Sequence, residues 1–303
     1  MTGKYCRIAL VMFLCVAMLT LPASGAISKS RTKAGAHRKS VPAKAIQASR
    51  GLVLHSAAAL VKDQSTGRLL IQKRATAIVP IASITKLMTA MVVLDQDENL
   101  EGNLVIQRAD VDMIRHSHSR LPVGTSLTRR EAMLLALMSS ENRSAHALGR
   151  TYPGGTRACV AAMNAKARRL GLSDTHFEDT TGLANGNVSS ARDLVELVEA
   201  AYRYGLIREF TTCRETTVYA GQRILEYRNS NQLIKNPDWD IGLSKTGYTD
   251  DAGRCLVMQA HVANRPLLIV LLDSQGRLTR VGDANRIKKW LEGPSQATQV
   301  RKG

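Results

Sequence analysis

Apolar residues fill almost every position from Leu87 to Leu94, behind a short polar start at Ser83 and Lys86. A helix that is apolar on all sides is a buried helix. Pro80 lies just upstream, and proline is tolerated near a helix start, so we expect the helix to begin at Ser83. Ser83 and Lys86 are three positions apart and would share one helix face. Burial lowers the pKa of a lysine, which predicts a neutral amine that can accept a proton from the Ser83 hydroxyl.

The middle of the chain is predicted to be largely helical. A capping box at 128–131 opens a helix whose apolar pattern breaks at 139–142. Further helices are predicted over about 156–170, where Gly171 provides a C-terminal stop, and over about 190–204.

Strand patterns occur at both ends of the domain. They are predicted at 57–62 and 68–72 around a 65–67 turn, and at 241–246, 255–262 and 267–273, before a last helix at 281–291. The segment 267–272 is apolar at nearly every position, which is typical of a strand covered on both faces. We therefore predict an α+β fold, with one central antiparallel sheet flanked by helices on both faces and an all-helical subdomain.

The N-terminus has the pattern of a secretory signal. Lys4 and Arg7 precede an apolar run at 8–21, and small residues follow up to Ala26. The run is short for a membrane span. We predict a signal peptide at 1–26, cleaved near Ala26, and a periplasmic protein; an uncleaved anchor is the alternative.

Three further segments follow from composition. Residues 27–50 are rich in Ser, Ala, Lys and Arg without an apolar period, which predicts a disordered basic linker. Such a linker would space the domain or hold it weakly near an anionic wall or membrane. The folded domain is predicted at 51–293, followed by a disordered tail at 294–303.

Charge and cysteine content narrow the function classes. The net charge of +17 favours an anionic partner, either nucleic acid, anionic lipid or an acidic wall polymer. Export and an aromatic content of only 4% argue against nucleic acid.

Cys159, Cys213 and Cys255 remain after the signal, an odd number that allows at most one pair. His116 and His118 have no third ligand at a recognisable spacing, so no metal site is predicted.

Two more short motifs complete a known signature. Ser140-Glu141-Asn142 lies at the predicted helix break, and Lys245-Thr246-Gly247 lies on a predicted strand. With the Ser83-x-x-Lys86 motif, they resemble the three-part signature of penicillin-binding proteins and serine β-lactamases. Residues 52–292 are similar to the low-molecular-mass D-alanyl-D-alanine endopeptidase and carboxypeptidase family. Nothing after Gly293 could form the second domain usual in the carboxypeptidases, which favours the endopeptidase branch.

The resemblance implies a role for each motif residue. Ser83 would be the nucleophile and Lys86 its base; Ser140 would relay a proton to the leaving amine, and Asn142 would hold Lys86 and the substrate amide. Glu141 stands where Asp is familiar and is expected to face outward. Substrate binding is implied for Lys245, Thr246 and Gly247. The oxyanion hole would be formed by the backbone N–H groups of Ser83 and Tyr248. By looser similarity, Arg280 would bind a substrate carboxylate.

The resemblance also implies the partners. The substrate would be a peptidoglycan peptide, cleaved without a metal or cofactor, and β-lactams would be covalent inhibitors. The segment 177–187 lacks the Glu-x-x-Leu-Asn pattern of class A β-lactamases, so β-lactam hydrolysis is expected to be slow.

Several alternatives remain at this point. The enzyme would be a D-alanyl-D-alanine endopeptidase, or alternatively a carboxypeptidase that trims pentapeptides. A non-catalytic wall-binding protein is a third reading, because the motifs at 140–142 and 245–247 also suit an ordinary helix end and strand end.

Overall fold

The computed structural model describes residues 51–96 and 99–293. The predicted signal at 1–26, the linker at 27–50 and the tail at 294–303 lie outside the described residues. Within the described part of the chain, no helix is long and apolar enough to cross a membrane.

Strands and helices alternate along the chain. The strands are β1 (Ala58–Asp63), β2 (Leu69–Lys73), β3 (Val79–Pro80), β4 (Asn103–Val105), β5 (Ser126–Thr128), β6 (Val188–Ser189), β7 (Glu215–Ala220), β8 (Arg223–Arg228), β9 (Asp240–Thr249), β10 (Gly253–Val262) and β11 (Arg265–Ser274). The helices are α1 (Thr85–Leu94), α2 (Arg129–Met138), α3 (Asn142–Arg150), α4 (Gly155–Arg169), α5 (Ala191–Tyr202), α6 (Gly205–Thr212) and α7 (Thr279–Glu292). Short 3-10 turns cover Ala82–Ile84, Arg108–Asp110 and Gln232–Lys235.

The main sheet joins the two ends of the domain. Its strand order is β2-β1-β11-β10-β9, and all of its pairings are antiparallel. The N-terminal hairpin pairs with the last strand, with Ala59 opposite Leu271. The predicted sheet built from both termini is therefore confirmed, and β9 lies at one edge.

Helices cover both faces of this sheet, as predicted. On one face, Val61 and Ile269 pack with Ala284 and Ile287 of α7. The opposite face belongs to a larger core that includes α1, α2 and α5. Strands β10 and β11 are buried along most of their length, which explains their nearly continuous apolar pattern.

Local signals placed most helix starts correctly. The Thr128 hydroxyl accepts from the Glu131 N–H, and the Glu131 carboxylate accepts from the Thr128 N–H, so the predicted capping box is present. The Ser190 hydroxyl accepts from the Asp193 N–H and so caps α5. Gly171 follows α4 with a φ of 74°, a left-handed conformation that glycine adopts without strain.

Eight elements of the described chain were not predicted, and one helix start differs from its prediction. The missed elements are all short: the helices α3 and α6 and the strands β3, β4, β5, β6, β7 and β8. The helix predicted from Ser83 opens with the 3-10 turn at Ala82–Ile84, and α1 itself begins at Thr85. Pro80 ends β3, which pairs with β6.

A buried carboxylate fastens α7 to the segment before β1. Asp283 accepts hydrogen bonds from the Ser56 N–H and hydroxyl, both at 2.6 Å, and from the His55 N–H at 3.0 Å. Burial opposes ionisation of Asp283, but these hydrogen bonds outweigh it and hold the pKa of the carboxyl below its usual range. This polar cluster thus connects the helix that follows the last strand to the segment that precedes the first strand.

Replacing Asp283→Ala should lower the free energy of unfolding by about 2–4 kcal/mol, because several buried donors lose their acceptor. Asp238→Ala, at an exposed aspartate, should change it by less than about 0.5 kcal/mol. Urea unfolding followed by circular dichroism measures both. Equal stability of the two variants would contradict this account of the cluster.

Candidate active site

Ser83 and Lys86 meet at the head of α1. Ser83 lies in the 3-10 turn at Ala82–Ile84, and Lys86 lies in the first turn of α1. The Lys86 Nζ is 2.8 Å from the Ser83 Oγ, so the spacing of three positions brings the two side chains into contact as predicted.

Three groups surround the Lys86 amine, which is only 1% exposed. Besides Ser83, the Lys86 Nζ donates to the Asn142 Oδ1 and to the Thr181 carbonyl, each at 2.8 Å. An ammonium has three donors, and these three acceptors satisfy all of them. The amine is therefore fixed in position by α1, α3 and the loop before β6.

Burial lowers the pKa of Lys86 to about 8, and the negative charges of Asp179, Glu141 and Asp112 oppose that shift. With this pKa, roughly a tenth of the molecules carry a neutral amine at pH 7. A neutral amine in contact with the Ser83 hydroxyl can act as its general base.

Ser140 and Asn142 lie on the turn between α2 and α3. Ser140 has a φ of 65°, and Asn142 is the first residue of α3. The Asn142 Nδ2 donates to the Ser117 Oγ at 2.8 Å while its Oδ1 accepts from Lys86. The amide is thus held from both sides, and Ser140 faces the same cleft as Ser83.

The expectation that Glu141 faces outward was wrong. Glu141 is only 7% exposed, and its Oε2 accepts from the Ser144 N–H at 2.7 Å. A carboxylate in this position satisfies a free N–H of the first helical turn and is favoured by the helix dipole. Glu141 therefore caps α3, which begins with Asn142.

The Lys245 amine is buried rather than presented to the cleft. Lys245 is 1% exposed, and its Nζ donates to the Thr246 carbonyl at 3.0 Å. Burial, together with the positive charges of Lys86 and Arg280, holds the pKa of Lys245 well below its usual range. Thr246 lines the cleft, and its hydroxyl lies 2.7 Å from the Ser230 hydroxyl.

Strand β9 passes close to the nucleophile at Gly247. A Cβ at this position would lie 2.9 Å from the Ile81 carbonyl oxygen and 3.3 Å from the Ser83 nitrogen. Only a glycine allows the strand to approach so closely. Because β9 is an edge strand, its outer side can accept an added strand of peptide.

A cleft of about 360 Å³ lies between these elements. It brings together Ser83, Ser140, Asn142, Thr246, Gly247 and Tyr248 of the predicted set, while Lys86 and Lys245 lie buried beside it. Arg280 also lines the cleft, and its guanidinium donates to the Gly247 carbonyl at 2.8 Å.

Sequence reasoning missed two partners of the Lys86–Asn142 pair. Ser117 and Thr181 come from loops without a motif, and Thr181 contributes only a backbone carbonyl, which leaves no trace in residue type. The glycine at position 182 is the one sequence feature that marks this loop. A Cβ there would lie 2.0 Å from the Ala82 carbonyl oxygen, so the loop packs directly on the turn that holds Ser83.

The histidine and cysteine positions considered in the sequence bear on two questions, a metal site and thiol pairing. Within the described residues, no group of three His, Cys, Asp or Glu side chains is placed to hold a metal ion. Cys213 and Cys255 carry free thiols.

A serine and a buried lysine at the head of a helix, beside an edge strand, define a serine hydrolase of the penicillin-binding type. Residues 44–276 match the D-alanyl-D-alanine carboxypeptidase family, and the chain belongs to that family. The chain is 47% identical to the D-alanyl-D-alanine endopeptidase of Pseudomonas aeruginosa, over 79% of this chain and 78% of the relative. It is 41% identical to the D-alanyl-D-alanine endopeptidase of Escherichia coli K12, over 78% and 77%.

Solved structures share the fold. The Streptomyces K15 DD-transpeptidase is similar with a TM-score of 0.73 and 29% identity, over 78% of this chain and 97% of that chain. A D-alanyl-D-alanine carboxypeptidase from Mycobacterium tuberculosis H37Rv has a TM-score of 0.71 and 26% identity, over 80% and 93%. The predicted family and fold class are therefore confirmed.

Replacing Glu141→Gln should lower the pKa of Lys86 below about 8, because an opposing charge that stabilises the ammonium is removed. The apparent pKa of acylation should fall, shifting the rise in rate to lower pH. Acylation by a fluorescent penicillin, measured between about pH 6 and 10, tests this.

Glu131→Gln is the control, because the Glu131 carboxylate also accepts a backbone N–H at the start of a helix and is not among the charges that act on Lys86. Its profile should match the wild type. An unchanged or raised apparent pKa in the Glu141 variant would contradict the electrostatic role.

Proposed function

We propose that this protein is a serine D-alanyl-D-alanine endopeptidase that hydrolyses peptidoglycan peptide cross-links through an acyl-enzyme on Ser83. The observation that carries the proposal is the buried Lys86 amine, 2.8 Å from the Ser83 hydroxyl and held by Asn142 and Thr181. The names of the relatives from Pseudomonas aeruginosa and Escherichia coli support the choice of an endopeptidase.

Acylation begins with the neutral amine of Lys86. It takes the proton of the Ser83 hydroxyl while the Oγ attacks the carbonyl carbon of D-alanine. The negative oxygen that develops is stabilised by the backbone N–H groups of Ser83 and Tyr248. Losing one donor of such a pair typically costs ~100- to 1000-fold in rate.

Collapse of the tetrahedral intermediate breaks the amide bond and releases the amine. Ser140 passes its hydroxyl proton to this amine and regains a proton from the Lys86 ammonium, which becomes neutral again. Asn142 holds both Lys86 and the substrate amide. Water then attacks the ester carbonyl on Ser83 while the neutral Lys86 amine accepts one of its protons. The bond between the acyl carbon and the Ser83 Oγ breaks, Lys86 returns the proton to that oxygen, and the product leaves with a free carboxyl group. No metal or cofactor takes part in this scheme.

Substrate binding uses the edge of β9. The peptide on the acyl side adds as a strand along the edge, where Gly247 leaves room for it. The Thr246 hydroxyl and the Arg280 guanidinium lie in the cleft and receive the substrate carboxylate. Lys245 contributes positive potential, or a proton, from behind the Thr246 backbone.

The cellular setting follows from the same scheme. The protein works in the periplasm after export by the signal at 1–26. The basic linker at 27–50 associates weakly with the anionic wall or membrane. β-Lactams acylate Ser83 and are released slowly.

Purified cross-linked muropeptide dimers and a monomeric pentapeptide provide the direct test. The wild type should release monomers from dimers, whereas Ser83→Ala should not, because the nucleophile is lost. Ser126→Ala, at an exposed serine in β5, is the control and should match the wild type. Mass spectrometry reads the products.

Two results would overturn the proposal. Loss of terminal D-alanine from the pentapeptide with dimers intact would make the protein a carboxypeptidase. The absence of any Ser83-dependent product would favour a non-catalytic wall-binding protein.

A further inference from the structure

A second cleft, of about 550 Å³, opens beside the catalytic cleft. Its walls are the loop at 118–120, the α2–α3 turn at 139–142 and the end of β8 at 226–228. Ser140 and Asn142 line both clefts, so the two spaces meet at these residues. The catalytic scheme uses Ser140 and Asn142 and assigns no role to the rest of this lining. We call this second cleft the Tyr227 groove.

The position of the groove assigns it to one side of the scissile bond. The acyl side of the substrate lies along β9, and Ser140 protonates the departing amine. The space beyond Ser140 therefore lies where the leaving group departs. A volume of 550 Å³ is within the range of about 300–1,000 Å³ that accommodates ligands larger than one amino acid. A single D-alanine does not need it.

Charged side chains line the rim of the groove. The Arg120 guanidinium stacks 4.1 Å from the centre of the Tyr227 ring and donates to the Glu226 carbonyl at 2.6 Å. Arg228 is exposed at the end of β8, and its guanidinium makes no ion pair with any described residue. Guanidinium groups bind carboxylates in paired hydrogen bonds.

Two carboxylates also belong to the lining. Glu141 is buried and accepts from the Ser144 N–H. Glu226 is exposed near Arg228. The guanidinium groups of Arg120 and Arg228 therefore suit a ligand that carries carboxylates.

The wall of the groove contains a buried hydroxyl with no partner. Tyr227 is only 3% exposed, and its hydroxyl has no hydrogen-bond partner among the described residues. Burial and the nearby charge of Glu141 raise the pKa of Tyr227 to about 12, so the group is a donor at neutral pH. Unpaired buried polar groups are uncommon and often mark a functional position.

We propose that the Tyr227 groove binds the leaving peptide strand of the cross-link, with the carboxylates of that strand on Arg228 and Arg120. This inference rests on the proposed endopeptidase function. On this proposal, Arg228 and Arg120 give the enzyme its preference for cross-linked over monomeric substrate. The second stem peptide is a suitable ligand because it carries carboxylates.

The test compares two arginines of the same strand. Arg228 lies at the groove, and Arg223 is exposed at the opposite end of β8. For each variant, kcat/KM for muropeptide dimers is divided by the rate of acylation by a small penicillin. Arg228→Ala should lower this ratio by at least about tenfold, as expected for a lost charge-assisted hydrogen bond. Arg228→Glu should lower it further, and Arg223→Ala should leave it unchanged.

Chemical modification of the substrate separates a charge contact from a structural effect. Dimers with amidated stem carboxylates should be poorer substrates for the wild type. For Arg228→Ala, amidation should cost much less, because the contact is already absent.

The outcomes distinguish this inference from the proposed function. If the wild type cleaves dimers and the ratio is the same in Arg228→Ala, the groove does not bind the leaving strand and the inference fails alone. If the wild type leaves dimers intact, the endopeptidase proposal fails and this inference fails with it.

Discussion

The burial of one amine beside one hydroxyl is the constraint on which the rest of the structure depends. The Lys86 amine is removed from water and satisfied by Ser83, Asn142 and Thr181. Burial alone would make an isolated ammonium costly. The three acceptors and the nearby acidic side chains offset that cost, so the pKa settles at about 8. The amine is thus able to hold or release a proton near neutral pH.

That arrangement requires three distant segments to meet. Helix α1 is buried among the other helices of the larger core, which fixes the direction of Lys86. The cap at Glu141 begins α3 at Asn142, and Gly182 and Gly247 let two backbone segments press against the turn of Ser83. Strand β9, which carries Gly247, is held in place by β10 along its length. The contacts that stabilise the fold therefore also position the side chains of the site.

Much of this could be predicted from sequence where a single segment carries its own signal. The apolar run after Lys86, the capping box at Thr128 and the strand pairs that flank short turns are local patterns. The structure contains each of them. The misses depend on contacts between segments. Glu141 was expected to face outward because no local pattern shows that a helix begins at the next residue. The carbonyl of Thr181 and the Tyr227 groove depend on loops and on a short hairpin whose positions only the folded chain defines.

The central claim is that Ser83 is the nucleophile and that the geometry around Lys86 activates it. Intact-protein mass spectrometry after incubation with benzylpenicillin tests this directly, followed by peptide mapping of the adduct. The account predicts one adduct per chain, located on Ser83, long-lived in the wild type and absent from Ser83→Ala. An adduct that persists in Ser83→Ala, or that maps to another residue in the wild type, would contradict it.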